Sequence, residues 1–395
     1  MTLFNVLNVH FEGSLDDEVT ILNPVAGSVG AMIQEKVPNW LRPGLDGILL
    51  IMKEKLFITK TVKEIIFDGY HDPLFDEISK IKNLLPDGTV PEGAIMDKFA
   101  FFYGRNGTDW TDGVWNMYTG AGDNSRMGKV NTWNYTDNHF YPGECGKVKG
   151  GAGEFYPPSL NKTFIQLYSN DLCRHLTFDF NKEVKVKGID SYEFVASKNF
   201  FANGSEHPPN ACFETPGASQ PSGVFDSSKC RFGAPVFISH PHFYQADPSY
   251  LDSIQSGLSP NASLHSTVFR VEPLSGVPTD VKARFQLNVL IDKMELITMF
   301  KGVRRTFFPV MWFENTAGVP DDLVFKMKLM ANLPDILKGV GWVEIGLASA
   351  ACIISTVMFL SRKKTEEDRC PILNQSHHED NQEDNVFTDH SDQEE

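Results

Sequence analysis

Hydrophobic positions in residues 32–57 recur at helical spacing: Val37, Leu41, Leu45, Ile48, Leu49, Met52 and Leu56. That periodicity predicts helices, and Pro38 and Pro43 cut them into short pieces. Two readings of this segment stay open. It packs on a core, or it forms an exposed cap whose apolar face meets lipid, with Lys53 and Lys55 as cationic contacts. Residues 56–70, LFITKTVKEIIFDGY, alternate at first and then turn helical. After Pro86 the text becomes short runs rich in Phe, Tyr, Thr and Val, separated by Gly, Asn, Asp and Pro. KFAFFYGRNGT, VWNMYTG, PVFISHPHF, STVFRVEPLSG, ARFQLNVLID and RRTFFPVMWFEN are such runs, and NKEVKVKGIDSYEFVAS alternates cleanly. They predict a large antiparallel β domain, with one wet face on the alternating strands. No internal repeat is visible.

The C-terminal part reads differently. Residues 323–338, LVFKMKLMANLPDILK, have the pattern of an amphipathic helix. Ile345–Leu360 is an uncharged run of 16 residues, and Trp342 and Val343 extend it past Glu344. At about 1.5 Å per residue such a helix matches a bilayer core of about 30 Å. Arg362, Lys363 and Lys364 follow at once, while Lys338 alone is close on the other side. The excess of positive charge places the C-terminus in the cytosol and the preceding chain outside it. Three regions are expected: an extracytosolic domain at 1–338, a transmembrane helix at 339–361 and a disordered acidic tail at 362–395.

The first residues, MTLFNVLNVHFEGSLDD, have neither a basic start nor a long apolar run, so they do not read as a signal peptide. Delivery of so large a domain then leads us to expect that the sequence lacks a natural N-terminal piece or comes from an alternative or incomplete gene model.

Charge and cysteines sharpen the picture. The net charge is −15 over 395 residues, and residues 362–395 hold four basic and eleven acidic residues. That balance argues against a nucleic-acid groove, which needs a basic stripe. Cys145, Cys173, Cys212 and Cys230 fall in one 86-residue block without a C-x-x-C pair. Wide spacing suits two disulfides in an oxidising compartment, with three possible connectivities. Asn-x-Ser/Thr sequons at Asn106, Asn134, Asn161, Asn203 and Asn261 point to the same compartment. Another sequon, at Asn374, falls in the tail.

Catalytic signals are missing from the text. No G-x-S-x-G, H-E-x-x-H or G-K-[ST] phosphate loop occurs, and the Gly-rich GKVKGGAGEF at 146–155 lacks the ending a nucleotide site needs. His240 and His242 have strand spacing on one face but no further ligand, so they read as structural rather than metal-binding. No enzyme activity, cofactor or metal is expected.

Several ordered pieces resemble the class B scavenger receptor family. They are LFITKTVKEIIFDGYHDPLF, FFYGRNGTDW, YTG, GKVNTWN, ECGKVKGGAGEFYPP, SNDLCRHL, SSKCRFGAPVFISHPHFYQADP, VEPLSGVP and FFPVMWFENTAG, covering roughly residues 19–361. The segment NYTDNHFYPGECG looks like arthropod members of the croquemort type. The resemblance implies a mainly β fold with short helices: an antiparallel β-barrel ectodomain, an apical helical cluster at about 30–57 and an internal hydrophobic tunnel. It also implies a membrane span at each end. The early strands have no counterpart here, so an incomplete barrel with an unpaired edge is expected. Lys53 and Lys55 fall near the family's apical lysines. Its cysteine pattern implies Cys145–Cys212 and Cys173–Cys230. Implied ligands are lipids, lipoproteins and phospholipid-exposing particles such as apoptotic cells or microbes, and none is a nucleic acid.

With the tail cytosolic, Asp368, three spacers, Ile372 and Leu373 form an acidic dileucine-type sorting signal for a clathrin adaptor. It resembles the tail of the family's lysosomal integral membrane protein branch. Cys370 is either palmitoylated or a free thiol. Two functions follow. The first is a scavenger receptor at the plasma membrane and endolysosome that takes up lipid or lipid-bearing particles. The second is a lysosomal membrane protein that sorts a luminal protein.

Overall fold

The computed structural model describes residues 13–369 except 92, 106–112 and 216. The chain divides into two units, Met1–Lys328 and Leu329–Glu395.

In the first unit, β1 (Glu18–Leu22) and β2 (Phe57–Thr61) form an antiparallel ribbon around α1 (Pro24–Lys36) and α2 (Arg42–Ile51). A π-helical turn at Glu64–Asp68 and α3 (Pro73–Ile81) follow. The residues that recur at helical spacing do form helices and face inward. Val37, Leu45 and Leu49 are buried with Leu74 and Ile78 of α3. Pro43 sits in the first turn of α2, where its missing N–H costs no hydrogen bond. α1 packs closely because it carries glycines. A Cβ on Gly30 would stand 2.5 Å from the Phe300 ring, and one on Gly27 would stand 3.0 Å from Val289.

A second ribbon joins β3 (Trp115–Met117) and β4 (Val130–Trp133). The main sheet comprises β5 (Phe164–Ser169), β6 (Arg174–Val186), β7 (Ile189–Ala196), β8 (Val224–Asp226), β9 (Val236–Ser239), β10 (Val268–Val271), β11 (Pro278–Ile291) and β12 (Thr306–Gly318). Short helices α4 (Ser249–Asp252) and α5 (Ala262–His265) separate β9 from β10. Every strand pair is antiparallel, in the order β5-β6-β7-β10-β11-β9-β8, with β12 also on β11.

β11 is the organising strand. One edge pairs with β12 from Asp280 to Ile291, and the other pairs with β10 at its start and β9 at its end. The β6–β7 hairpin turns through Lys187 (φ 48) and Gly188 (φ 79), the left-handed pair that a two-residue turn requires. Pro309 lacks an N–H for the ladder, and the β11–β12 register slips beside it.

Phenylalanines fill the sheet's interior: Phe178, Phe194, Phe225, Phe269 and Phe285 are buried in one cluster. Each buried aromatic side chain contributes about 2–3 kcal/mol.

Two predicted strands take other forms. The run KFAFFYGRNGT makes a single bridge, Tyr70 to Phe99, and then turns at 101–104. Its aromatics serve packing: Phe99 meets Tyr70 and Phe101, and Phe102 meets Phe67 and Phe313. PVFISHPHF is strand only to Ser239, because Pro241 ends it and His242 takes φ 55.

The Gly-rich stretch at 146–155 lies along β5. Gly151 N–H donates to the Gln166 carbonyl at 2.9 Å, and a Cβ on Gly150 (φ 84) would stand 2.2 Å from that oxygen. Close backbone approach explains those glycines.

α6 runs unbroken from Asp321 to Arg369, with Pro334 inside it. It starts in the first unit, where Lys187 reaches Asp321 at 2.6 Å. The helix continues past the basic cluster, and the Thr365 hydroxyl donates to the Ser361 carbonyl at 2.9 Å. Residues 362–369 are therefore helical, where a disordered tail is expected from residue 362.

Candidate functional site

The helical region is tied together by one buried polar knot. The Asn23 side-chain oxygen accepts from the N–H groups of Val25 at 3.0 Å and Ala26 at 3.3 Å, which caps α1. Asp72 caps α3 in the same way, accepting from Leu74 N–H at 3.0 Å. Each cap precedes a proline at the first helical position, a start signal present in the sequence as Asn-Pro and Asp-Pro. The Asn23 amide then donates to Glu54 at 2.9 Å and to Asp72 at 3.1 Å. One amide thus bridges two carboxylates. Burial, and then the charge of Asp72, push the Glu54 carboxyl above its ordinary value. Burial likewise raises the Tyr70 phenol.

This knot supports the turn that carries the two candidate lysines. Lys53 ends α2 in the left-handed region (φ 54), and Lys55 follows Glu54. Both side chains are exposed, and neither makes an ion pair among the described residues. Beside them α2 turns apolar residues outward: Ile51 is 82% exposed and Leu50 is 55% exposed. Trp40, just before α2, is 80% exposed. Lys55 borders a 390 Å³ pocket floored by Leu49, Leu56 and Phe57 and closed on one side by Thr298. Asp46 anchors that side, accepting from the Thr298 N–H at 2.7 Å and its hydroxyl at 2.8 Å. A second pocket, of 520 Å³, shares Leu56 and Phe57 and lies under residues 253–258. The arrangement offers cations and apolar surface side by side, the chemistry that an amphipathic lipid presents in reverse.

The structure joins Cys145 to Cys212 and Cys173 to Cys230, with Cα–Cα distances of 5.8 and 6.4 Å. Both bridges border the phenylalanine core. Buried Arg174, next to Cys173, lies 3.7 Å from the Phe213 ring and 4.8 Å from that of Phe225. Burial lowers its guanidinium below the ordinary value.

Among the sequons, Asn134, Asn161 and Asn261 are exposed and Asn203 is half-buried. The Asn203 amide donates to the Gln220 carbonyl at 3.1 Å. Asn106 lies outside the described residues.

His240 and His242 do not share a strand face, because the turn at Pro241 separates them. His240 is 2% exposed among Phe200, Phe201 and Phe285. Its imidazole is held down to about 4 by burial. His242 stacks on His265 instead, with ring centroids 4.2 Å apart. Neither His265 nor the Asn23–Glu54–Asp72 knot is singled out by sequence pattern. The Asn-Pro and Asp-Pro caps were the one available signal for the knot.

The segment Asn332–Glu366 has a window of mean hydropathy 2.0 and is long and apolar enough to cross a membrane. Cys352 within it is a free, exposed thiol. Asp368 falls in the last turn of α6. Cys370, Ile372 and Leu373 lie outside the described residues.

The described residues thus hold a large antiparallel sheet with two disulfides, followed by one helix long and apolar enough to cross a membrane. The chain belongs to the CD36 family, whose model matches residues 8–359. The match starts before residue 19, where the resemblance in the sequence begins. Protein peste of Drosophila melanogaster is 34% identical over 355 residues, which cover 89% of this chain and 61% of that protein. Scavenger receptor class B member 1 of Mus musculus is 29% identical, with 89% of this chain and 68% of that one covered. Lysosome membrane protein 2 of Homo sapiens is 28% identical, with coverages of 91% and 73%. The chain thus spans about three fifths to three quarters of the length of these relatives.

Proposed function

We propose that this chain is a scavenger receptor that binds lipids, lipoproteins or phospholipid-exposing particles and mediates lipid uptake or endocytosis. The family match over residues 8–359 carries the reading. The exposed Lys53 and Lys55 beside Leu50 and Ile51 support a contact with anionic lipid surfaces at that end. In this reading the sheet belongs to a barrel with an internal tunnel, and the helices around residues 30–57 form its apex. Residues 1–338 are extracellular or luminal and glycosylated, 339–361 span the bilayer, and 362–395 lie in the cytosol. There Asp368, Ile372 and Leu373 recruit a clathrin adaptor for cycling between plasma membrane and endolysosome, and Cys370 is a palmitoylation site.

A sorting receptor for a luminal protein is the second reading. It is favoured by the likeness to lysosome membrane protein 2, while the acidic Ile-Leu signal fits both readings.

The test expresses the full chain with a tag after Glu395. A glycosidase mobility shift with a cytosolic, protease-sensitive tag is expected. No shift, or a protected tag, overturns the topology. In the same cells, Lys53→Ala with Lys55→Ala should weaken capture of phosphatidylserine vesicles. Each lysine contributes about 1 kcal/mol near an anionic surface, about fivefold in affinity. Unchanged capture removes the two lysines from the contact.

A further inference from the structure

The stacked histidines hold a loop in place. His242 follows β9, and its own N–H donates to Gln286 of β11 at 2.8 Å, which fixes the ring's position. Its Nδ1 accepts from the Ser259 N–H at 3.0 Å. His265, at the end of α5, is 4% exposed, and its Nδ1 accepts from the Asn261 N–H at 2.9 Å. A nitrogen that accepts carries no proton, so both rings are neutral with the hydrogen on Nε2. They lie 14° from parallel, and the Trp312 ring of β12 meets both at steep angles with its centroid 6.3 and 6.1 Å from theirs. Arg284 of β11, itself paired with Glu314 of β12, is the charged group that acts on His265. Arg284 also donates to the carbonyls of Ser263 at 3.3 Å and Ser266 at 2.9 Å, which pins both ends of α5. Among the described residues the one histidine–carboxylate pair is His71–Asp76, so neither stacked ring has a counter-ion.

We propose that His242 and His265 form an acid-operated latch on residues 253–265, which releases that segment on passing from neutral to endolysosomal pH. Protonating either ring turns its Nδ1 from acceptor to donor, facing a backbone N–H that is also a donor. It also sets a cation against the second imidazole and Arg284. The direction follows from the same geometry. Burial, then His242 and Arg284, hold His265 below the ordinary histidine value. The latch is therefore fully closed above about pH 6.5 and lost as pH falls below it.

The released segment matters because Ser253–Leu258 form one wall of the 520 Å³ pocket over Phe57, Ile291 and Phe308. Opening the latch exposes that apolar pocket and moves the sequon at Asn261. Nothing in this step depends on which ligand the receptor takes.

Hydrogen exchange on the full-length chain in detergent tests the latch, with rates corrected for the intrinsic effect of pH. Protection in the peptide spanning residues 253–266 should fall about tenfold between about pH 7 and about pH 5. The β6–β7 hairpin should stay level. In His242→Asn with His265→Asn an amide oxygen replaces each Nδ1 and does not titrate, so the acid response should vanish. Equal protection at both pH values in the unaltered chain overturns the latch. So does an acid response that persists in the double variant. The first of these needs no variant, so a misfolded mutant does not shield the proposal.

Discussion

Asn23 shows how much one side chain can organise. Its oxygen caps α1, and its nitrogen joins Glu54 to Asp72, so three segments meet at one amide. Removing it as Asn23→Ala leaves two facing carboxylates without their shared donor. A loss of about 2 kcal/mol in chemical unfolding is expected. Glu54 sets the pH dependence of this knot. Its carboxyl is raised in the folded state, so its protonated form favours folding. Relative stability is highest below the ordinary glutamate value near 4.3 and is lost as pH rises through the raised one. Glu54→Gln should therefore raise the melting midpoint near pH 7 by about 2 °C and leave it unchanged near pH 4. The side chain is half-buried, so solvent screening keeps the effect small. An equal gain at both pH values would show that charge is not the cause. The knot and the histidine latch respond to acid in opposite senses: the first tightens while the second loosens.

Elements were legible where pattern and burial agree. The helical spacing of Val37, Leu45 and Leu49 and the alternation through β6 and β7 both appear in the structure, because each element buries one face. Legibility failed where aromatic residues signalled burial without strand. Phe99–Phe102 pack ring on ring from a turn, which a period-two reading cannot distinguish. It failed again at His242, whose positive φ no pattern announces. The knot was half visible, through its Asn-Pro and Asp-Pro caps. The contact between His242 and His265 joins residues 23 apart, and no local signal carries it.

The α1 packing gives an element-scale prediction. Gly30→Val drives a side chain into the Phe300 ring and should cost about 1–3 kcal/mol. Combining it with Phe300→Ala should cost less than the sum of the two single changes, measured as a double-mutant cycle.

At the scale of the whole molecule the two disulfides span 67 and 57 residues of sequence. Chain-entropy reasoning assigns each about 4 kcal/mol. Cys173→Ser with Cys230→Ser should therefore lower the thermal midpoint of the folded chain sharply, while non-reducing peptide mapping still recovers the Cys145–Cys212 link. In the single variant Cys173→Ser, recovery of Cys230 bridged to Cys145 or Cys212 would mean that packing does not select the connectivity. The sheet depends on β11, which has a partner strand on both edges at 280–282 and again at 286–289.

That arrangement sets a timetable on the ribosome. All four bridged cysteines precede residue 231, whereas β11 begins at Pro278. At about 5–20 residues per second, several seconds separate the last of these thiols from the strand that organises the sheet. During translation the covalent frame has time to close before the β9 and β10 edges find their common partner. An oxidase that acts on the nascent chain thus shortens the search that β11 must make on arrival. A cell slow to oxidise those thiols would hold the half-built sheet with its edges open.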